Sequence, residues 1–272
     1  MAAPRANYES FFQENAKNIQ GFLLDISGVL LDGVTPIEGS IEAVKRLKAA
    51  NIPLRFLTNE TQKNHQDIVK KLQNLGFGAT KDVVFAPAPA TRKILLERGL
   101  RPHLVVHPDC ANTFDDVDKS NPNCVVIGDA AENFSYQNLN DAFRVLMDAE
   151  RPMLFSMGRG KYYKEEDGLH LDVGAYMKAL EYACDIEAEV VGKPSPTYFN
   201  EAVKDMKLQA SNVVMIGDDI VNDVGGAQNS GLYGVQVRTG KFRPSDEPHS
   251  TVTPNAYVDN LLQAVDFYLK HK

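Results

Sequence analysis

Short apolar runs alternate with amphipathic stretches along most of the chain. Phe22-Leu23-Leu24 is an apolar run that stops at Asp25 and predicts a buried strand. Residues 8–18 before it predict a short amphipathic helix. Ser40 stands where it can cap a helix carrying Ile41, Val44 and Leu47, and the alternating residues 52–57 predict a second strand that ends at Thr58. A helix burying Ile68, Leu72 and Leu75 then closes at Gly76. Further on, Ser195-Pro196 supplies an N-cap and a first-turn proline, residues 213–216 predict a strand ending at Gly217-Asp218, and Gly231 punctuates the helix after it.

The middle of the chain has an alternation of its own. It predicts helices over 90–97, 139–150 and 175–183 and strands over 104–106, 125–127 and 153–156. Strand and helix in turn imply right-handed crossovers and a doubly wound, Rossmann-like parallel sheet. The strands ending at Asp25, Thr58 and Asp218 flank this middle stretch on both sides. The expected organisation is therefore a discontinuous α/β core of residues 1–87 and 190–272, with an α/β cap domain of residues 88–189 inserted into it.

Composition narrows the function. There are 29 Lys+Arg against 36 Asp+Glu, a formal charge of −7, and no run of basic residues longer than two, which argues against a nucleic-acid partner. No stretch is long and apolar enough to cross a membrane, and the amino terminus is polar, so an intracellular protein is expected. Cys110, Cys124 and Cys184 are odd in number and widely spaced, which argues against a disulfide framework or a structural zinc site. His103 and His107 read as lying on one strand, too far apart to share an ion.

Doubly wound sheets bind ligands outside the carboxyl ends of their strands, where Asp25, Thr58 and Asp218 would meet. Taken singly each residue is ambiguous. Asp25 can be a metal ligand, a phosphate acceptor or a cap. The acidic stretch Gly217-Asp218-Asp219-Ile220-Val221-Asn222-Asp223 suits a hard cation, magnesium first, but can be a solvated loop. Asp219 and Asp223 read as supporting or helix-capping residues. Thr58 can bind a phosphoryl oxygen or only open a turn, and Lys193 can be surface decoration. Together a carboxylate nucleophile, a hydroxyl, a cation and a metal carboxylate amount to the parts of a phosphoryl-transfer site.

Asp25-Ile26-Ser27-Gly28-Val29, Thr58-Asn59, Gly192-Lys193-Pro194 and Gly217-Asp218-Asp219 resemble, in order, the four motifs of the haloacid dehalogenase superfamily. Residues 123–130, 134–138, 171–184 and 238–247 resemble a branch of it that acts on inorganic pyrophosphate and on the P–N bonds of phospholysine and phosphohistidine. The resemblance implies Asp25 as nucleophile and Lys193 as its catalytic partner. It implies magnesium on Asp25, Asp218 and the Ser27 carbonyl, and phosphate contacts from Asp25, Ile26, Ser27, Thr58, Asn59 and Lys193. It also implies a homodimer in cytoplasm and nucleus, with pyrophosphate or phosphorylated proteins as partners. The readings that compete are a capped phosphatase of small phosphomonoesters and a weakly catalytic phosphate-binding protein.

One departure shapes the chemistry. The superfamily commonly carries a second Asp two positions after the nucleophile, as general acid and base, and this chain has Ser27. A hydroxyl is a poor proton donor near neutral pH, so bonds to alkoxide leaving groups should break slowly. Pyrophosphate and protonated phosphoramidates depart without that help. Elsewhere in the chain, Arg238, Lys241 and Arg243 form a basic strip that reads as a solvated edge, and the loop Gly158-Arg159-Gly160-Lys161 lacks the spacing of a Walker loop.

Overall fold

The computed structural model describes residues 9–165 and 168–272, so Tyr8 and the polar start of the chain lie outside the described residues. In chain order the strands are β1 (Gly21–Asp25), β2 (Leu31–Asp32), β3 (Thr35–Pro36), β4 (Leu54–Leu57), β5 (Val84–Phe85), β6 (Pro102–Val105), β7 (Cys124–Ile127), β8 (Leu154–Ser156), β9 (Tyr162–Glu165), β10 (Gly168–Leu171), β11 (Glu189–Val190), β12 (Val213–Gly217), β13 (Tyr233–Val237) and β14 (Ala256–Val258). Two compact units share them. One takes the chain to Thr58, Lys71–Phe85 and Lys193–Lys272; the other takes Asn59–Lys70 and Ala86–Gly192.

The first unit holds a six-stranded parallel sheet in the order β14-β13-β12-β1-β4-β5. The strand order reverses at β1, which pairs with β12 on one side and β4 on the other. All five residues of β1 and of β12 are buried, as central parallel strands covered on both faces must be. The helix Ser40–Ala49 buries Ala43, Val44 and Leu47. Ser40 does not cap it: Gly39 occupies the N-cap, and the Ser40 hydroxyl, inside the first turn, donates to the Leu30 carbonyl at 3.0 Å. The helix Leu261–His271 brings Tyr268 against Phe22, ring centroids 4.9 Å apart. Ser195 does occupy an N-cap, with Pro196 following it in the first turn.

The second unit has a four-stranded parallel sheet, β11-β8-β7-β6. Alternate residues of its strands face opposite layers. Val126 and Phe155 pack with Leu95 and Phe114, while Val125, Ile127 and Leu154 pack with Leu146 and Met177. A separate antiparallel hairpin, β9-β10, was not read from sequence. β6 ends at Val105, so His107 is not on that strand: it caps the short helix Pro108–Ala111, its Nδ1 accepting the Asp109 amide at 3.1 Å.

Asn59–Lys70 joins this unit through side chains near β7. The Asp129 amide donates to Thr61 Oγ1 at 2.9 Å, Gln62 Nε2 donates to Asp129 Oδ2 at 2.8 Å, and Lys63 pairs with Asp109 at 2.6 Å. The three cysteines are free; burial pushes the Cys110 and Cys124 thiols up to about 12. Among the described residues no helix is long and apolar enough to cross a membrane.

Candidate active site

Register aligns the carboxyl ends of the three central strands. Leu24 is level with Ile216 and with Phe56, and Asp25 with Leu57. One residue further on from those pairs lie Thr58 and Gly217, with Asp218 next. Asp25 (7% exposed), Thr58 (3%), Lys193 (3%) and Asp218 (2%) are all buried there.

Lys193 is the electrostatic hub. Its Nζ donates to Asp25 Oδ1 at 2.6 Å and lies 2.7 Å from Asp223 Oδ1. Burial alone would lower its pKa, but the charges of Asp223 and Asp25 outweigh burial and hold it above the ordinary lysine range. Asp25 Oδ1 also accepts the Ile26 amide at 2.8 Å, whereas its Oδ2 accepts no hydrogen bond among the described residues. Tyr198, a buried residue that sequence reading missed, donates its hydroxyl to the Thr58 carbonyl at 3.0 Å and so fixes the strand end from behind.

Asp223 does more than close a turn. Its Oδ2 accepts the amides of Asp218 and Asp219, both at 3.1 Å, while Oδ1 faces Lys193. Asp219 caps the following turn by accepting the amides of Val221 and Asn222 at 3.1 and 2.9 Å. Asp218 is gripped through Oδ2, which accepts the Lys241 amide at 2.7 Å, and through its carbonyl, which accepts Gln236 Nε2 at 2.6 Å. Two glycines crowd that same carboxylate: a methyl group on Gly28 would lie 1.9 Å from Asp218 Oδ2, and one on Gly240 would lie 2.1 Å from it. Both have positive φ, 86° and 63°, and Thr239 ties their loops by donating to the Gly28 carbonyl. The sequence motifs include Gly28 and the loop of Gly240, but not their closeness to Asp218.

The donor set fits a hard divalent cation. Asp25, Asp218 and Asp223 each bring an oxygen within 4.8 Å of the others'. One ammonium cannot offset three buried carboxylates. Burial, followed by the charges of Asp25 and Asp223, raises the Asp218 pKa, and burial with Asp25 raises that of Asp223 to about 7. Asp218 Oδ1 accepts no hydrogen bond among the described residues, which leaves it, like Asp25 Oδ2, an oxygen of a buried residue still able to meet a metal.

Of the sequence-derived candidates, Asp25, Ile26, Ser27, Thr58, Lys193 and Asp218 belong to the first unit, with Ser27 exposed beside Asp25. Asn59 belongs to the second, one peptide bond after Thr58. The basic strip is not a uniform solvated edge. Arg238 is engaged by Glu247 at 2.9 Å through both Nε and Nη2 and by Asp259 at 2.9 Å, whereas the Lys241 amide binds Asp218 and its ammonium lies 3.9 Å from Asp219.

A haloacid dehalogenase-like hydrolase model matches residues 22–120, and a HAD-hydrolase-like model matches residues 190–264. A phospholysine phosphohistidine inorganic pyrophosphate phosphatase of Bos taurus is 59% identical over 262 residues, covering 95% of this chain and 97% of its own. The Homo sapiens protein of that name is 59% identical over 257 residues, covering 93% of this chain and 95% of its own. The crystal structure of a 4-nitrophenylphosphatase from Thermotoga maritima superposes with a TM-score of 0.84 at 25% identity, covering 92% of this chain and 98% of that one. The chain belongs to the haloacid dehalogenase-like hydrolases, in the family of the phospholysine phosphohistidine inorganic pyrophosphate phosphatases.

Proposed function

We propose that this protein is a magnesium-dependent phosphatase that hydrolyses inorganic pyrophosphate and the P–N bonds of phosphohistidine and phospholysine through an aspartyl-phosphate on Asp25. The observation that carries the reading is the buried Asp25-Lys193-Asp223 bridge with Asp218 beside it, at the strand ends where such sheets bind ligands. The substrate class comes from the names of the relatives.

In this reading the Asp25 carboxylate attacks phosphorus, an O–P bond forms, and the bridging P–O or P–N bond breaks with its electron pair on the leaving group. Lys193 orients Asp25, since its ammonium bonds Oδ1. Thr58, Asn59 and the Ile26 and Ser27 stretch hold the phosphoryl oxygens. Asp25, Asp218 and the Ser27 carbonyl hold magnesium, which when bound neutralises the carboxylates and the phosphoryl charge. Water then cleaves the aspartyl-phosphate, releasing phosphate and giving its proton to solvent. Ser27 leaves the position two after the nucleophile without a carboxylic proton donor, which suits leaving groups that depart unaided. The residues 88–189 act as the cap. The homodimer and the cytoplasmic and nuclear location rest on the family resemblance.

The test is phosphate release from pyrophosphate, phosphoramidate, phosphohistidine and a sugar phosphate, with and without magnesium, for the wild type and Asp25→Asn. Magnesium-dependent release from the first three, lost in Asp25→Asn, supports the reading. Faster turnover of the sugar phosphate points instead to a phosphomonoesterase, and phosphate binding without turnover to a binding protein.

A further inference from the structure

We infer that the Lys241 ammonium binds the departing phosphoryl group of a diphosphate and so selects P–O–P substrates over single-phosphate ones. The inference rests on the proposed pyrophosphatase reading and adds to it the residue that recognises the second phosphate.

Charge balance gives the first reason. Asp25, Asp218 and Asp223 face the committed Lys193 ammonium, and a single divalent cation brings those four groups to neutrality, while the Asp219 carboxylate and the Lys241 ammonium 3.9 Å from it offset one another beside them. The transferred phosphoryl group has Thr58 and the cation to meet it. The second phosphoryl group of a diphosphate, another anion, finds no counter-charge inside the cluster. Lys193 cannot serve, because it is 3% exposed and spans Asp25 and Asp223.

Geometry gives the second. The Lys241 amide donates to Asp218 Oδ2 at 2.7 Å, so this residue's backbone is fixed directly on the candidate metal ligand. Gly240 before it leaves no room for a methyl group against Asp218, and Thr239 bonds the Gly28 carbonyl, so the loop is anchored on both sides of the carboxylate. From that anchor the side chain emerges 57% exposed, its Nζ 3.9 Å from Asp219 Oδ2. At that separation the ammonium keeps donors for a ligand. The neighbouring Arg238 is held by Glu247 and Asp259. As the bridging P–O bond breaks, its electron pair goes to the leaving phosphate, and the charge that grows there is what Lys241 meets. A neutral amine or imidazole leaving group has no such charge.

The experiment compares wild type, Lys241→Met and Lys241→Arg on pyrophosphate and on phosphoramidate at saturating magnesium. The ratio of the two kcat/KM values should fall about tenfold in Lys241→Met, as for a charge-assisted contact in a partly exposed setting, and recover to within about threefold in Lys241→Arg. Methylenediphosphonate, a diphosphate analogue whose P–C–P bridge neither P–O nor P–N cleavage can break, should lose about the same factor as a competitive inhibitor of phosphoramidate turnover. An unchanged ratio with unchanged inhibition overturns the inference. Parallel losses on both substrates also overturn it, since they would assign the residue to holding Asp218. A wild type without magnesium-dependent pyrophosphate turnover refutes the pyrophosphatase reading instead, and the methylenediphosphonate arm still decides whether Lys241 binds a second phosphoryl group.

Discussion

Replacing Gly28 by alanine is a small change that reaches the centre of the site. Two costs are separable. The first is conformational: with φ at 86°, an L-residue carries strain of about 1–2 kcal/mol. Gly33→Ala isolates that cost, because Gly33 has φ 57° and a methyl group there meets nothing within 4 Å. The second is steric. A methyl on Gly28 sits 1.9 Å from Asp218 Oδ2 and 2.4 Å from its Cγ, so the carboxylate must withdraw by about an ångström, against its bond from the Lys241 amide. Overpacking of this kind costs about 1–3 kcal/mol more, and a displacement of about 1 Å in a catalytic group costs about 10²-fold in rate. Gly28→Ala should therefore lose about 10²-fold in turnover and need more magnesium for half activity, whereas Gly33→Ala should lose stability alone. Thermal unfolding in chelator and a magnesium titration of phosphate release measure the two costs. Gly28→Ala with the wild-type titration curve, or Gly33→Ala with the same catalytic loss, would refute the reasoning.

Asp218→Asn should shift the magnesium titration upward, while Lys193→Met should depress turnover at saturating magnesium; identical titrations for wild type and Asp218→Asn would remove that carboxylate from the metal site. Ser27→Asp should raise the ratio of alkyl-monoester to pyrophosphate kcat/KM, because general acid catalysis is worth about 10²–10⁴-fold where the leaving group needs it, and a ratio that stays put would assign the preference to other contacts. In chelator, raised carboxyl pKa values mean that the folded protein keeps protons the unfolded chain has released between about pH 4 and pH 7, so stability falls as pH rises through that window. Magnesium takes the place of those protons, and the Tm gap between loaded and metal-free protein should widen from about pH 5 to about pH 7.5; a constant gap contradicts the assignment.

What the sequence made legible is what a strand's end requires. Asp25, Thr58 and Asp218 each follow an apolar run, and a parallel sheet brings such ends level whatever the distance along the chain. The residues that were not legible act through tertiary contacts that leave no local mark. Nothing local to Tyr198 shows that its hydroxyl bonds the Thr58 carbonyl. Gly28 and Gly240 carry no local sign that the space beside them is filled by one carboxylate. Asp223 was legible as support for the loop, but its pairing with a lysine 30 residues upstream was not. Ser40 satisfies every rule for a cap and still loses the position to Gly39, because the Leu30 carbonyl offers its hydroxyl a buried partner.

The division of the chain bears on how this molecule can be rebuilt. The backbone passes between the two units after Thr58, Lys70, Phe85 and Gly192, and two of those junctions adjoin candidate site residues. A chimera that exchanges the long segment between the last two junctions, as if it were a cassette, separates Asn59–Lys70 from the Asp129 and Asp109 that it bonds. Thr61, 3% exposed, then loses the amide donor of Asp129, at about 1–3 kcal/mol for a buried group left unpaired, and the half-buried Gln62 loses the carboxylate it bonds. That damage falls three and four residues after Thr58. Swaps that carry both segments together keep these bonds, so the exchangeable module of this fold is a discontinuous one.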